Sequence, residues 1–372
     1  MRIPLVDLRA QYLRCQSEFD QAVVQCLDRT SFIGGPDHDA FAKEFASYCG
    51  GGITVPCGNG TDALSILLVN LLGQGDGTGE IITVSHTFIA TVEAIATAGY
   101  RPVLVDVDAA TYTMDPAAFE RAITPRTVAV VPVHLYGQMA AMDRIADIAG
   151  RHGLKVVEDA AQAHGAAWQG KGPGQWGAGA GFSFYPGKNL GAWGDGGAAL
   201  VHDADLAKAM ESYCFHGRID KFRHRVLAVN SRLDGLQAAV LRVKLRHLPT
   251  WTEERRRAAG WYGEALAKTC GDRIVLPAVA PDAYHVYHLF VIQVEDRDRV
   301  LARLNEQGIG ASIHYPVPVH LQPALADRAI AAEDLPVTHR LCGRILSLPI
   351  YPEITRDMVD HVATTLGKIL QE

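Results

Sequence analysis

Over the first two-thirds of the chain, short and mostly apolar runs alternate with helix-patterned stretches. The runs at 81–84, 102–107, 127–133, 155–158, 181–184 and 198–201 are rich in Val and Ile, which predicts strands buried on both faces. Between them, 63–72, 89–98 and 142–150 carry helical patterns, and Leu64, Leu67, Leu68, Leu71 and Leu72 fall on one stripe. Strand–helix alternation over this length predicts a largely parallel sheet with helices on both faces. In such sheets ligands collect at the carboxyl ends of the strands.

The pattern changes near Asn230. Residues 233–248 predict a long helix that runs into a second, charged helix at 251–268. A strand at 288–294, a helix opening at Asp296 with Gly308 as its C-cap, a strand at 310–315 and a last helix at 356–370 follow. The expected organisation is a large α/β domain over 1–245 and a smaller C-terminal α+β domain over 246–372. With no repeat and no low-complexity linker, the long helix is expected to join the two rigidly.

Composition narrows the class. In 372 residues, 48% are apolar and 20% charged, enough to bury a large core and too apolar for a disordered or fibrous chain. A net charge of −6, from 35 Lys+Arg against 41 Asp+Glu, argues against a surface that grips nucleic acid or anionic membrane. No apolar run approaches the roughly 20 residues of a membrane helix, and the opening residues lack a signal-peptide core. The seven cysteines are odd in number and never spaced C-x-x-C, which predicts reduced thiols and a cytoplasmic location.

Four segments carry candidate chemistry. Phe182-Ser183-Phe184-Tyr185-Pro186-Gly187-Lys188-Asn189-Leu190-Gly191 holds one lysine in an otherwise uncharged, glycine- and aromatic-rich stretch after a buried strand. A dry setting lowers a lysine pKa and favours a nucleophilic amine, as Schiff-base chemistry needs. The spacing does not fit a Walker A loop, since five residues separate Gly181 from Gly187 and Asn189 follows the lysine. Gly172-x-Gly174-x-x-Gly177 spells a dinucleotide fingerprint but precedes a strand instead of opening a helix. In Glu158-Asp159-Ala160-Ala161-Gln162, Asp159 reads either as a helix N-cap or as a carboxylate that keeps a pyridine nitrogen protonated. The lysine at a second strand end favours the latter. Cys57-Gly58-Asn59-Gly60-Thr61-Asp62 opens the leucine-striped helix as a plain capped turn or as a phosphate cradle, to which Ser183 could add a hydroxyl. Phe88, after the 81–84 strand, is either core or a platform for a flat ring.

Taken in order, these segments resemble the fold-type I, pyridoxal-phosphate-dependent nucleotide-sugar aminotransferases of the DegT/StrS group. The likeness also takes in Ile3-Pro4-Leu5-Val6-Asp7-Leu8, Phe32-Ile33-Gly34-Gly35-Pro36, Gly194-Asp195-Gly196-Gly197, Asn230-Ser231-Arg232-Leu233 and His314-Tyr315-Pro316-Val317-Pro318-Val319-His320, and so spans nearly the whole chain. The resemblance implies that Lys188 forms the Schiff base, Asp159 pairs with the pyridine nitrogen, Phe88 stacks on the ring and Gln162 lies near the 3-hydroxyl. It implies that Gly60, Thr61 and Ser183 hold the phosphate, with Asn230 reaching in from the second subunit of a homodimer with shared active sites. Asp195 stands where many members have Glu, and Phe88 where others carry a different aromatic or His. A lysine at 188, where the deoxygenating relatives carry His, points to amino transfer.

The same resemblance implies glutamate as donor and a keto-hexose linked to a nucleoside diphosphate as acceptor. The wording of 185–197 is most like the 3-keto branch, with a dTDP-linked 3-keto-6-deoxyhexose first, then a UDP-linked 3-keto sugar or a 4-keto sugar. Tyr185, His314, Tyr315 and His320 are candidates for the sugar side of the cleft, against a structural role. His285-x-x-His288 and His314…His320 have ligand-like gaps without accompanying acids or thiols, so no metal is expected. A cofactor-binding regulator without activity is the alternative from another class; it would be expected to lose the lysine or to gain a DNA-binding appendage.

Overall fold

The structure is a computed structural model that describes residues 1–372. Its main sheet has eight strands in the order Ile53–Cys57, Gly197–Val201, Gly179–Ser183, Lys155–Asp159, Thr127–Val131, Glu80–Val84, Arg101–Val105 and Ile330–Ala331. Only Gly197–Val201 runs against the others. The expected mostly parallel sheet is present. The Ile53–Cys57 strand, which the apolar pattern did not mark, contains Pro56 and lies at the edge, where a residue without an N–H is tolerated.

Alternation along the strands builds a core on each face. Ile82, Val130, Val156 and Leu200 join Phe41 and Phe45 of Pro36–Tyr48 and Leu241 and Leu245 of the long helix. Ile81, Val131, Val157 and Val201 point the other way, against Leu64, Leu67 and Leu68 of Gly60–Leu72 and Ile95 of Ile89–Thr97. The leucine stripe therefore meets the sheet as the pattern predicts.

The two predicted helices after Asn230 are one. Gly235–Cys270 runs 36 residues through Pro249. Proline removes one helical hydrogen bond and crowds the carbonyl four residues back. Burial on both sides of it offsets this: Leu245 and Leu248 pack in the main core, while Ala258, Tyr262 and Leu266 pack in the C-terminal core. Residue 245 thus lies inside a continuous helix. The chain ends also cross over, since Ile3 joins the C-terminal core and bridges to Ile309, and Ile330–Ala331 extends the main sheet.

The smaller sheet pairs Phe290–Val294 with Ile345–Leu348 and with Ile274–Val275, all antiparallel. Residues 310–315 do not form the expected strand; they touch this sheet through one bridge, Ser312 to Ser347. Ile345–Leu348 takes the place instead, and it follows the helix Pro336–Arg344 without any turn residues to announce it.

Phe45 is fully buried, with its ring edge-on to Phe182 and Phe184 beneath the sheet. Phe45→Ala should lower the unfolding free energy by about 3–5 kcal/mol. Urea denaturation measures it, and a loss below about 1 kcal/mol would contradict this packing.

Candidate active site

Because seven of the eight strands run one way, the turns that leave them gather along one edge of the sheet. Gly58-Asn59-Gly60 leaves Ile53–Cys57, Ser85 to Phe88 leave Glu80–Val84, Asp159 ends Lys155–Asp159, and Ser183 ends Gly179–Ser183 shortly before Lys188.

Successive side chains on a strand face opposite ways, so Glu158 and Asp159 part. Glu158 is fully buried: Oε1 accepts from the N–H groups of Gly174 (2.9 Å) and Trp176 (3.3 Å), and Oε2 accepts from His134 Nε2 at 2.9 Å. His134 Nδ1 accepts from the Ala140 N–H at 3.2 Å, which assigns the ring proton to Nε2. The glycine string at 172–177 therefore wraps a carboxylate of its own chain. On the other face, Asp159 Oδ2 accepts from Thr91 Oγ1 at 2.7 Å and Oδ1 from the Ala161 N–H at 3.1 Å. No helix follows, so Asp159 caps none. Thr91 was not singled out in the sequence; with Thr87, whose hydroxyl lies 3.0 Å away, it forms an i,i+4 pair at the start of a helix.

Lys188 stands in the field of Asp159. Burial pushes its amine down to about 8, and the carboxylate's charge partly opposes the shift. Three histidines nearby are held neutral, chiefly by burial and then by Lys188: His164 falls to about 3, His314 to about 4, and His288 well below its ordinary value. His164 lies among Phe45, Phe182 and Phe184 with neither ring nitrogen bonded. His288 Nδ1 meets Asn189 Oδ1 at 3.3 Å, and His285 stacks on Tyr287, so this pair has separate partners.

The Gly60–Leu72 helix is capped by Asn59, whose Oδ1 accepts from the Asp62 N–H at 2.8 Å. The N–H groups of Gly60 and Thr61 remain without partners. Ser183 presses against this end, since a Cβ on Gly60 would stand 2.6 Å from Ser183 Cβ and 3.2 Å from its Oγ. Two free N–H groups, a hydroxyl and a helix N-terminus suit a phosphate. Phe88 is 52% exposed and lies 5.3 Å from the Tyr315 ring, which leaves an aromatic face toward the cleft. Amine, carboxylate, anion cradle and open ring together fit pyridoxal phosphate.

Gln162 sits deeper: its Oε1 accepts from the Tyr136 N–H at 2.7 Å and its Nε2 donates to the Tyr315 hydroxyl at 3.3 Å. Tyr136 is buried with φ 58°, a left-handed backbone that costs a non-glycine residue on the order of 1–3 kcal/mol. His314 Nδ1 meets Ser347 Oγ at 2.8 Å, and Tyr185 is exposed. His320 is engaged elsewhere, with Ser85 Oγ at 2.6 Å and His339 at 3.2 Å. Asn230 is exposed and makes no side-chain hydrogen bond within the chain; its neighbour Ser231 bonds Gly58 and Asp62 instead.

The Lys188 shift is measurable on protein stripped of small molecules. Acylation of Lys188, mapped by peptide mass spectrometry, should rise with pH around a midpoint near 8. Asp159→Asn should move that midpoint lower, because the carboxylate favours the ammonium form. A midpoint at the ordinary lysine value, or an upward shift in the variant, would contradict the arrangement.

The sequence profile of the DegT/DnrJ/EryC1/StrS aminotransferase family matches residues 14–367. The chain is 47% identical over 367 residues to the erythromycin biosynthesis sensory transduction protein EryC1 of Saccharopolyspora erythraea, covering 98% of this chain and 99% of that one. It is 44% identical over 356 residues to the dTDP-3-amino-3,4,6-trideoxy-alpha-D-glucose transaminase of Streptomyces venezuelae, covering 95% and 93%. The crystal structure of S. venezuelae DesV in complex with a ketimine intermediate superposes with a TM-score of 0.95 at 42% identity, over 100% of this chain and 99% of that one. A match of this length, on a chain that carries the lysine, the carboxylate and the anion cradle at one sheet edge, means that the protein belongs to the DegT/DnrJ/EryC1/StrS aminotransferase family.

Proposed function

We propose that the protein transfers an amino group from glutamate to C3 of a nucleotide-linked keto-hexose, with a dTDP-linked 3-keto-6-deoxyhexose as the preferred acceptor. The observation that carries the reading is a lysine amine with a lowered pKa in the field of one buried carboxylate, beside an anion cradle. Identity to the Streptomyces transaminase over nearly the whole chain supports the choice of sugar. Pyridoxal phosphate, when bound, supplies the electron sink for cleavage of the donor's Cα–H bond. Lys188 Nζ, neutral in part near pH 8, would take up that proton and hold it for the return transfer. Asp159, fixed by Thr91 and Ala161, would hold a proton on the ring nitrogen. Gly60, Thr61 and Ser183 would bind the phosphate, Phe88 would stack on the ring, and Gln162 would lie by the 3-hydroxyl. Tyr185, His314 and Tyr315 face the sugar, while His320 supports the Ser85 turn.

The site is completed by a second copy of the chain. The segment 215–230 presents Phe222 and Leu227 at 81% and 100% exposure beside Ile219 and Val226, an apolar surface that calls for a partner. Asn230 at its end then reaches the phosphate across the interface. A regulatory role, which the name of the Saccharopolyspora relative suggests, would leave the lysine chemistry without use.

Incubation with glutamate and dTDP-3-keto-6-deoxyhexose should yield the 3-amino sugar, read by mass spectrometry and NMR. Lys188→Ala should lose at least the ~10²–10⁴-fold that a positioned proton-transfer group supplies. Nitrogen at C4, or no turnover with any nucleotide-linked keto sugar, would overturn the assignment. Mixed dimers of Lys188→Ala and Asn230→Ala chains should recover activity, because one of their two sites is intact. Silence in verified mixed dimers would refute the shared site.

A further inference from the structure

Behind Gln162 runs a buried string of polar groups that amino transfer by itself does not call upon. The Tyr136 hydroxyl hydrogen-bonds the His314 carbonyl oxygen on one side and His86 Nε2, 2.9 Å away, on the other. His86 Nδ1 lies 3.6 Å from Cys342 Sγ. Tyr136, His86 and Cys342 are all buried, at 3%, 1% and 4% exposure. Tyr112 packs edge-on against both the imidazole and the phenol.

Counting protons orients the whole string. A carbonyl oxygen only accepts, so the single phenolic proton of Tyr136 goes to His314. The Tyr136 oxygen must then accept from His86, which places the imidazole proton on Nε2. His86 is neutral, since burial pushes it down to about 4 against the opposing charge of Asp106. Its Nδ1 is therefore an acceptor and takes the Cys342 S–H. The backbone N–H of Tyr136 settles Gln162 in the same way: Oε1 accepts, so Nε2 donates to Tyr315. The Tyr315 oxygen thus receives a hydrogen bond from Gln162, and its own proton is free for the cleft.

We propose that His86 and Tyr136 are positioning residues that fix the Gln162 amide and the His314-Tyr315 segment so that Tyr315 offers its O–H as a donor to the keto-sugar. The inference rests on the sugar-aminotransferase reading for the identity of the acceptor, and on hydrogen-bond geometry, with the neutral His86 that burial favours, for the string. Tyr136 reaches both halves of the device, one through its backbone and the other through its phenol. His86 acts only through Tyr136.

Two measurements test it. In apoprotein, ¹⁵N NMR of His86 should show the neutral Nε2–H tautomer; an Nδ1–H tautomer or an imidazolium at neutral pH overturns the string, whatever the enzyme's substrate. In holoenzyme, Tyr136→Phe removes the phenolic donor and keeps the N–H. KM for the keto-sugar should rise about tenfold, the scale of one net hydrogen bond, while glutamate converts the bound cofactor at a rate within about twofold of the parent. His86→Leu should reproduce the KM defect. His86→Gln, whose amide N–H₂ replaces the Nε2 donor, should recover most of it. Equal losses in His86→Leu and His86→Gln, or equal slowing of both half-reactions in Tyr136→Phe, would reduce these residues to general packing and overturn the proposal. If the parent enzyme aminates no keto-sugar, the reading of the reaction fails, and the tautomer still decides the string.

Discussion

Keeping the Lys188 amine dry beside the Asp159 carboxylate is the requirement that the surrounding structure meets. Burial alone drives a lysine toward its neutral form, and a nearby carboxylate drives it back. The balance here leaves the amine near 8, where both forms are populated at once. Such a balance needs fixed partners. Asp159 is held by Thr91 and Ala161, and the histidines around Lys188 are themselves kept uncharged.

The two-residue period of a strand makes this arrangement possible. Glu158 and Asp159 are neighbours in sequence and opposites in space. One carboxylate is spent on the Gly174 and Trp176 N–H groups and on His134, which ties the 172–177 turn under the sheet. The other is delivered to the cleft. A one-residue slip in this strand would exchange their positions and send the Asp159 carboxylate into the structural nest.

The two main hydrophobic cores also need a stable frame. The helix Gly235–Cys270 supplies it, with its first half packed in the main core and its second half in the C-terminal core. Glu18 adds a clasp, because its carboxylate accepts from Arg246 at 2.9 Å and His247 at 2.8 Å on that helix. The N-terminal residues strengthen the link by crossing to the smaller lobe, where the Gly310 N–H donates to the Ile3 carbonyl at 2.7 Å. No helix of the chain is long and apolar enough to cross a membrane.

By itself the sequence determined the parallel α/β core, the leucine stripe, and the lysine, carboxylate and glycine turn that share one sheet edge. These are local signals: apolar runs of strand length, a helical period, and chemical residues directly after them. Tertiary structure alone decided the rest. Pro56 hid an edge strand that sheet position tolerates, and Pro249 marked a break that burial on both sides overrides. Ile345–Leu348 displaced the expected 310–315 strand because backbone pairing partners, distant in sequence, choose between two apolar candidates. Thr91 on Asp159, and Tyr136 between His86, Gln162 and His314, became visible only when the fold closed distances of 68, 50, 26 and 178 residues along the chain. A hydrogen bond depends on a few ångströms and an angle, and no residue pattern along the chain encodes either.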